Sequence, residues 1–214
     1  MNNNLTELVV IMDRSGSMWP LADDTINGFN SLIEKQKADT NGDVHVTVVL
    51  FDTRFNVLYD CVDIKEIPKM TSKDYFPSGG TALLDAVGST ITSVGKRLAD
   101  TPEEERPANV MFVITTDGYE NSSREYNRKQ IADMIEHQKT KYSWTFMFLG
   151  ANIDAESVGK SYNIDYAKTY TASSVGTESV FRSVNLAVES MKKASADGEI
   201  VSSACMMGWL DEVE

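Results

Sequence analysis

Five oxygen-bearing side chains in three short stretches could hold a metal ion. Asp13-Arg14-Ser15-Gly16-Ser17 sets three of them at two-residue steps, Thr81 follows Gly79-Gly80, and Asp117 precedes Gly118. Carboxylate and hydroxyl oxygens are hard donors that suit Mg²⁺, Mn²⁺ or Ca²⁺ and suit thiolate-seeking metals poorly. No His or Cys stands beside them. The two carboxylates offset a double positive charge while the three hydroxyls add none, so the ion stays electrophilic toward a further anion. Mg²⁺ keeps octahedral coordination and some water, so the open position is expected to take water or a partner's Glu or Asp.

For these residues to meet, separate strands must end at one edge of a sheet. Leu8-Val9-Val10-Ile11-Met12 is a continuous apolar run ending in Asp13, the pattern of a strand buried on both faces. Residues 109–116 repeat that pattern and end at Asp117. Between them, Ile26, Phe29, Leu32 and Ile33 recur at helical spacing, with Asn41-Gly42 as the stop. Residues 44–51 and 55–62, split by Asp52-Thr53-Arg54, read as a hairpin. Leu83, Val87, Ile91, Val94 and Leu98 make one apolar helical stripe after the glycine pair. Gly16 is expected to let the first loop close.

The alternation continues. A helix is predicted around Ile131, Met134 and Ile135, a strand over 144–149, a short helix over 155–161, an edge strand over 166–170, and a helix carrying Val180, Val184, Ala187, Val188 and Met191. Residues 195–214 form a weakly patterned C-terminal tail whose Trp209-Leu210 could pack back. Strands alternating with helices predict a doubly wound α/β fold with a mostly parallel sheet, helices on both faces and the hairpin as an antiparallel edge. Ligands in such folds bind beyond the carboxyl ends of the strands, where crossovers diverge.

At 214 residues and 42% hydrophobic content, one domain over the whole chain is the expectation. Lys and Arg number 20 against 32 Asp and Glu, and the formal charge of −12 repels a phosphate backbone, which argues against nucleic acid. Cys61 and Cys205 form no C-x-x-C, so a reducing compartment is expected. The first six residues carry no basic side chain, and no apolar run approaches the roughly 20 residues of a membrane span. The chain is therefore expected in the cytoplasm, away from membranes.

The residues Asp13-x-Ser15-x-Ser17 after a strand, Thr81 in Ser78-Gly79-Gly80-Thr81 and Asp117 in Thr116-Asp117-Gly118 resemble the metal-ion-dependent adhesion site (MIDAS) of von Willebrand factor A domains. All three pieces stand in order, and the resemblance covers residues 6–149 well and the remainder to about Met191 only in its alternating elements. It implies a six-stranded, mostly parallel sheet. It also implies an ion touched by the hydroxyls of Ser15, Ser17 and Thr81, with Asp13 and Asp117 bound directly or through water. The ligand it implies is a protein whose acidic side chain completes the coordination. Intracellular bacterial members resemble this chain in lacking a secretion signal, and some act beside ring-forming ATPases or in metal and stress resistance. Met18-Trp19-Pro20 departs from the pattern by placing a large aromatic at the rim.

Other chemistries fit less well. Asp13 at a strand end is similar to the nucleophile of aspartyl-phosphate hydrolases, but Ser15 stands where those place a second Asp. A phosphate-ester hydrolase using Asp13 remains the alternative from another class, and a scaffold with a purely structural ion is a third. Gly159-Lys160-Ser161 could end a phosphate loop, yet its earlier glycine would fall at Asp154. His45 and His137 read as structural or solvated. No catalytic residue is assigned. Tyr75-Phe76, Tyr119, Glu120 and Asn121 lie in loops expected at the same edge, as ligand contacts or loop anchors, and Asp85 as a supporting partner or helix surface.

Overall fold

Helix follows strand along the chain in the computed structural model, which describes residues 1–199 and 203–214. The order is β1 (Asn2–Asp13), α1 (Ala22–Ala38), β2 (Asp43–Phe51), β3 (Phe55–Asp63), α2 (Leu83–Asp100), β4 (Pro107–Thr116), α3 (Arg128–Tyr142), β5 (Thr145–Ala151), α4 (Ala155–Ser161), β6 (Tyr166–Tyr170), α5 (Ser174–Ala196) and α6 (Ser203–Leu210). The six strands form one sheet in the order β3-β2-β1-β4-β5-β6. Only β3 runs antiparallel, paired to β2 at one edge. The architecture is the doubly wound α/β sheet that the alternation predicts.

Central strands explain the continuous apolar runs. Successive side chains of a strand point to opposite faces. On β1, Leu8, Val10 and Met12 join Phe29 and Leu32 of α1 and Val184 and Val188 of α5. Val9 and Ile11 face the other way, toward Val87 and Ile91 of α2 and Ile135 of α3. Helices cover both faces of its buried stretch, Leu5 to Asp13, so a polar side chain there needs a partner, as Glu7 has in Arg97.

Residues 195–214, weakly patterned in sequence, contain the end of α5 and α6. Trp209, Leu210 and Val213 are buried in the same layer as α1 and α5. Ser183 Oγ donates to Trp209 O at 2.5 Å, and Trp209 Nε1 donates to Ser190 Oγ at 3.2 Å. The final residue is tied in by Thr171 N–H donating to Glu214 O at 2.9 Å. Among the described residues no helix is long and apolar enough to cross a membrane.

Candidate metal centre

From β1 the chain crosses to β2 on one side, and β4 lies on the other, so β1 and β4 flank the point where the crossovers part. Asp13 ends β1, paired with Phe51 of β2, and its neighbour Met12 is paired with Thr115 of β4. Asp117 follows the last residue of β4. The two carboxylates thus leave adjacent strands at one edge, as the strand-end reading expects.

The loops there are laced through their backbones. Arg14 N–H donates to Phe51 O at 2.7 Å, Ser78 N–H to Arg14 O at 2.8 Å and Gly16 N–H to Gly79 O at 3.1 Å. Asp13 Oδ1 accepts from Ser15 N–H at 2.6 Å, and Asp13 Oδ2 accepts from the Thr116 hydroxyl at 2.5 Å. Ser15 Oγ and Ser17 Oγ are 3.1 Å apart, and Ser17 Oγ donates to Asp117 Oδ1 at 2.7 Å. A methyl built on Gly118 would lie 3.5 Å from Thr81 Oγ1 and 3.9 Å from Ser17 Oγ, so Thr81 meets the same spot. Thr81 Oγ1 makes no hydrogen bond among the described residues.

All five sequence-derived positions therefore gather at one edge. Asp13, Ser15 and Thr81 are buried, Asp117 is half-buried and Ser17 is exposed, which leaves one side of the cluster open to solvent. Among the described residues no group of three or more His, Cys, Asp or Glu could hold an ion. A metal here must rely on hydroxyls beside two carboxylates, a donor set that fits Mg²⁺, Mn²⁺ or Ca²⁺.

The local electrostatics favour a cation. Burial pushes the Asp13 carboxyl from its ordinary 3.8 up to about 6, against the hydrogen bonds from Thr116 and Ser15, with the Asp117 charge adding to the rise. Burial also raises Asp117, opposed by its bond from Ser17. The phenols of Tyr75 and Tyr170 are raised by burial first and then by these same two carboxylates. Metal-free folded protein thus holds a proton on Asp13 between about 3.8 and 6 that the unfolded chain has released. Its stability from this group is highest below 3.8 and falls as pH rises through that window. Metal must displace the proton, so the extra stability conferred by Mg²⁺ should shrink as pH falls from about 6 toward 4 and level off above 6. Thermal melts with and without Mg²⁺ across that range check this; an increment independent of pH would contradict it.

The structure decides between the alternatives that the sequence left open for the surrounding residues. The Tyr75 hydroxyl donates to Asp13 O, and its ring is buried, so it anchors the loop and is not a ligand contact. Asp85 is not open helix surface: it accepts from the N–H groups of Arg124, Glu125 and Tyr126 at 2.8, 2.9 and 2.9 Å. Glu120 accepts from Leu84 N–H at 3.0 Å, capping α2, and from Ser122 and Ser123 N–H at 2.8 and 2.7 Å. Asn121 Oδ1 accepts from Thr81 N–H at 2.9 Å. Of the roles open to them in the sequence, Asp85, Glu120 and Asn121 thus take the supporting one, holding the loop after β4 against the start of α2. Gly16 closes its loop without a left-handed backbone, which in these loops belongs to Gly79, at φ +66. Gly159-Lys160-Ser161 ends α4 and forms no phosphate loop.

No family model matches the sequence, and no curated protein matches it. Solved structures do match its fold. The von Willebrand factor type A protein from Catenulispora acidiphila is 17% identical, with 84% of this chain and 42% of that one covered at TM-score 0.58. The von Willebrand factor domain of a type V pili tip protein from Porphyromonas gingivalis is 10% identical, with 86% and 95% covered at TM-score 0.60. Proximal thread matrix protein 1 from the mussel byssus, solved with a zinc-occupied MIDAS motif, is 15% identical, with 89% and 46% covered at TM-score 0.57. The chain thus spans less than half of two of these three. At such identities the likeness establishes the fold, which is that of von Willebrand factor A.

Proposed function

We propose that this von Willebrand factor A fold is a binding module that holds Mg²⁺, or Mn²⁺ or Ca²⁺ in its place, on Asp13, Ser15, Ser17, Thr81 and Asp117. The ion's open position takes an Asp or Glu side chain of a protein partner. One observation carries the reading: side chains up to 100 residues apart, such as Ser17 and Asp117, converge within hydrogen-bond distance at the crossover point of the sheet. The zinc-occupied MIDAS of the mussel protein supports it from a structure of the same fold.

The surroundings favour a protein over a free solute as the sixth ligand. Trp19, Phe76 and Tyr119 lie in the loops of this edge and are 54%, 56% and 59% exposed. Trp19 and Phe76 meet edge to face with ring centres 4.9 Å apart, which holds both rings out toward solvent. Exposed aromatics around a desolvated centre are the usual anchors of protein interfaces. The reading includes no turnover: His45 lies on β2 with Nδ1 3.5 Å from Cys61 Sγ, and His137 lies on α3 against Tyr142. Its setting is the cytoplasm, beside an ATPase or a stress-resistance complex, as the resemblance to intracellular members suggests.

Affinity capture from the source cell, with Mg²⁺ or with a chelator, tests the reading. A partner should be retained with Mg²⁺ and released by the chelator. Trp19→Ala should weaken retention about tenfold while leaving the Mg²⁺-dependent melting shift intact. Capture indifferent to the chelator would contradict the bridging ion. Turnover of phosphate esters with Mg²⁺, abolished by Asp13→Asn, would move the protein to the hydrolase reading.

A further inference from the structure

At the far end of the sheet from the metal centre, α2 and α3 part to leave a cavity of about 590 Å³. Its floor is apolar, built from Ile91, Leu98, Val110, Met134 and Trp144. Val110 precedes Asp117 by seven positions along β4, so at about 3.3 Å per residue the two sites are roughly 23 Å apart. Nothing in the proposed metal-dependent binding uses this cleft. Its volume falls in the range of small-molecule sites.

The charge around the cleft is the reverse of the chain's. Acidic residues outnumber basic ones 32 to 20 overall, yet Lys96, Arg106 and Lys141 line the cavity against one carboxylate, Glu103. Arg106 is fixed in place by donating from Nε to Thr101 O at 2.8 Å and from Nη2 to Ala99 O at 3.1 Å. Lys96 and Lys141 make no ion pair or hydrogen bond among the described residues. Lys141 stands in the last turn of α3, where the helix dipole alone would favour it; Lys96 has no such reason to be there.

One wall carries an unmet polar group. Gln138 Oε1 is buried without a hydrogen-bond partner. Its amide nitrogen lies 3.7 Å from where a methyl on Gly95 would sit, and Trp144 Cη2 lies 3.9 Å from the same point. Buried polar groups are nearly always paired, and since an ionised carboxylate can only accept, it would pair with this amide after a half-turn that brings Nε2 to the place of Oε1.

We propose that this cleft binds a small amphipathic carboxylate, its apolar body on the Ile91–Trp144 floor, its charge between Lys96 and Lys141, with the turned Gln138 amide donating to it from Nε2. Calorimetry with octanoate and naphthalene-2-carboxylate, and with 1-octanol as the neutral probe, tests it on the full chain. At least one carboxylate should bind saturably and one-to-one. Gly95→Leu should fill the cavity and weaken binding about tenfold or more; leucine is the better helix former, so the variant should fold. Lys96→Glu with Lys141→Glu, both exposed, should weaken the carboxylates about tenfold and leave 1-octanol unchanged. Asp13→Asn should bind them as the wild type does. Absence of saturable carboxylate binding overturns the proposal, as do equal affinities in wild type and Gly95→Leu. Capture of an apolar peptide at the cleft without carboxylate binding would assign it to a protein and overturn it too.

Discussion

Asp13→Asn is expected to leave the metal-free protein folded and at least as stable as wild type at neutral pH, while erasing its response to Mg²⁺. The reason lies in the charge that Asp13 must carry alone. Burial and the neighbouring Asp117 disfavour its ionised form, which is why its carboxyl is pushed up to about 6. An asparagine keeps an acceptor for Ser15 N–H, and its amide can donate to the Thr116 hydroxyl, which rotates to accept. What it cannot do is neutralise a divalent ion. At a Mg²⁺ concentration of 100 times its dissociation constant, a site present only in the native state adds about 2.7 kcal/mol. In a chain of this size that raises the melting temperature by roughly 5–10 °C. The variant should show almost none of it. A chain with formal charge −12 also gains from general screening, so the comparison belongs at matched ionic strength. Equal shifts in the two proteins would remove Asp13 from the site.

Gly79→Val should do the converse, damaging the scaffold and the site together. Gly79 holds a left-handed backbone, at φ +66, which a β-branched residue adopts only under strain. Its side chain would also start 2.4 Å from Thr53 Oγ1, the atom that accepts Gly80 N–H at 2.8 Å. Backbone strain of this kind costs about 1–3 kcal/mol, before the loss of that hydrogen bond. Thr81 is two residues on, so the loop's displacement should also weaken Mg²⁺ binding. Gly16→Ala is the informative control. A methyl there meets only Gly79 O, at 3.4 Å, so it should cost little in stability or metal response. Chemical denaturation and Mg²⁺ titration of both variants separate the cases. A benign Gly79→Val beside a damaging Gly16→Ala would reverse the assignment of the tight turn.

The strands of this fold were legible because burial on both faces forces a continuous apolar run, as on β1 and β4. The five oxygen positions were legible because each follows a strand end or a glycine pair. Harder to see were contacts that depend on distant parts of the chain meeting. Tyr75 reads as one more loop aromatic, and only the fold, which brings its hydroxyl to Asp13 O 62 residues away, shows it to be an anchor. Asp85 and Glu120 hold the loop after β4 through backbone N–H groups, which leave no residue-type pattern. The tail hid α6 because a short helix packed by Trp209 and Leu210 has too few turns for a period to emerge. The cleft between α2 and α3 was invisible for a related reason: its lysines lie on different helices, and only packing sets them around one space.

The central claim is that a hard cation sits among these oxygens with one position left for an incoming acid. A crystal soaked in Mn²⁺ and measured for anomalous scattering addresses it most directly. The expected result is one strong peak at the edge where β1 and β4 end, with the Ser15, Ser17 and Thr81 hydroxyls within about 2.0–2.6 Å of it and water or a neighbouring carboxylate completing the shell. A map with no peak there, or with manganese bound only at scattered surface carboxylates, would contradict the account.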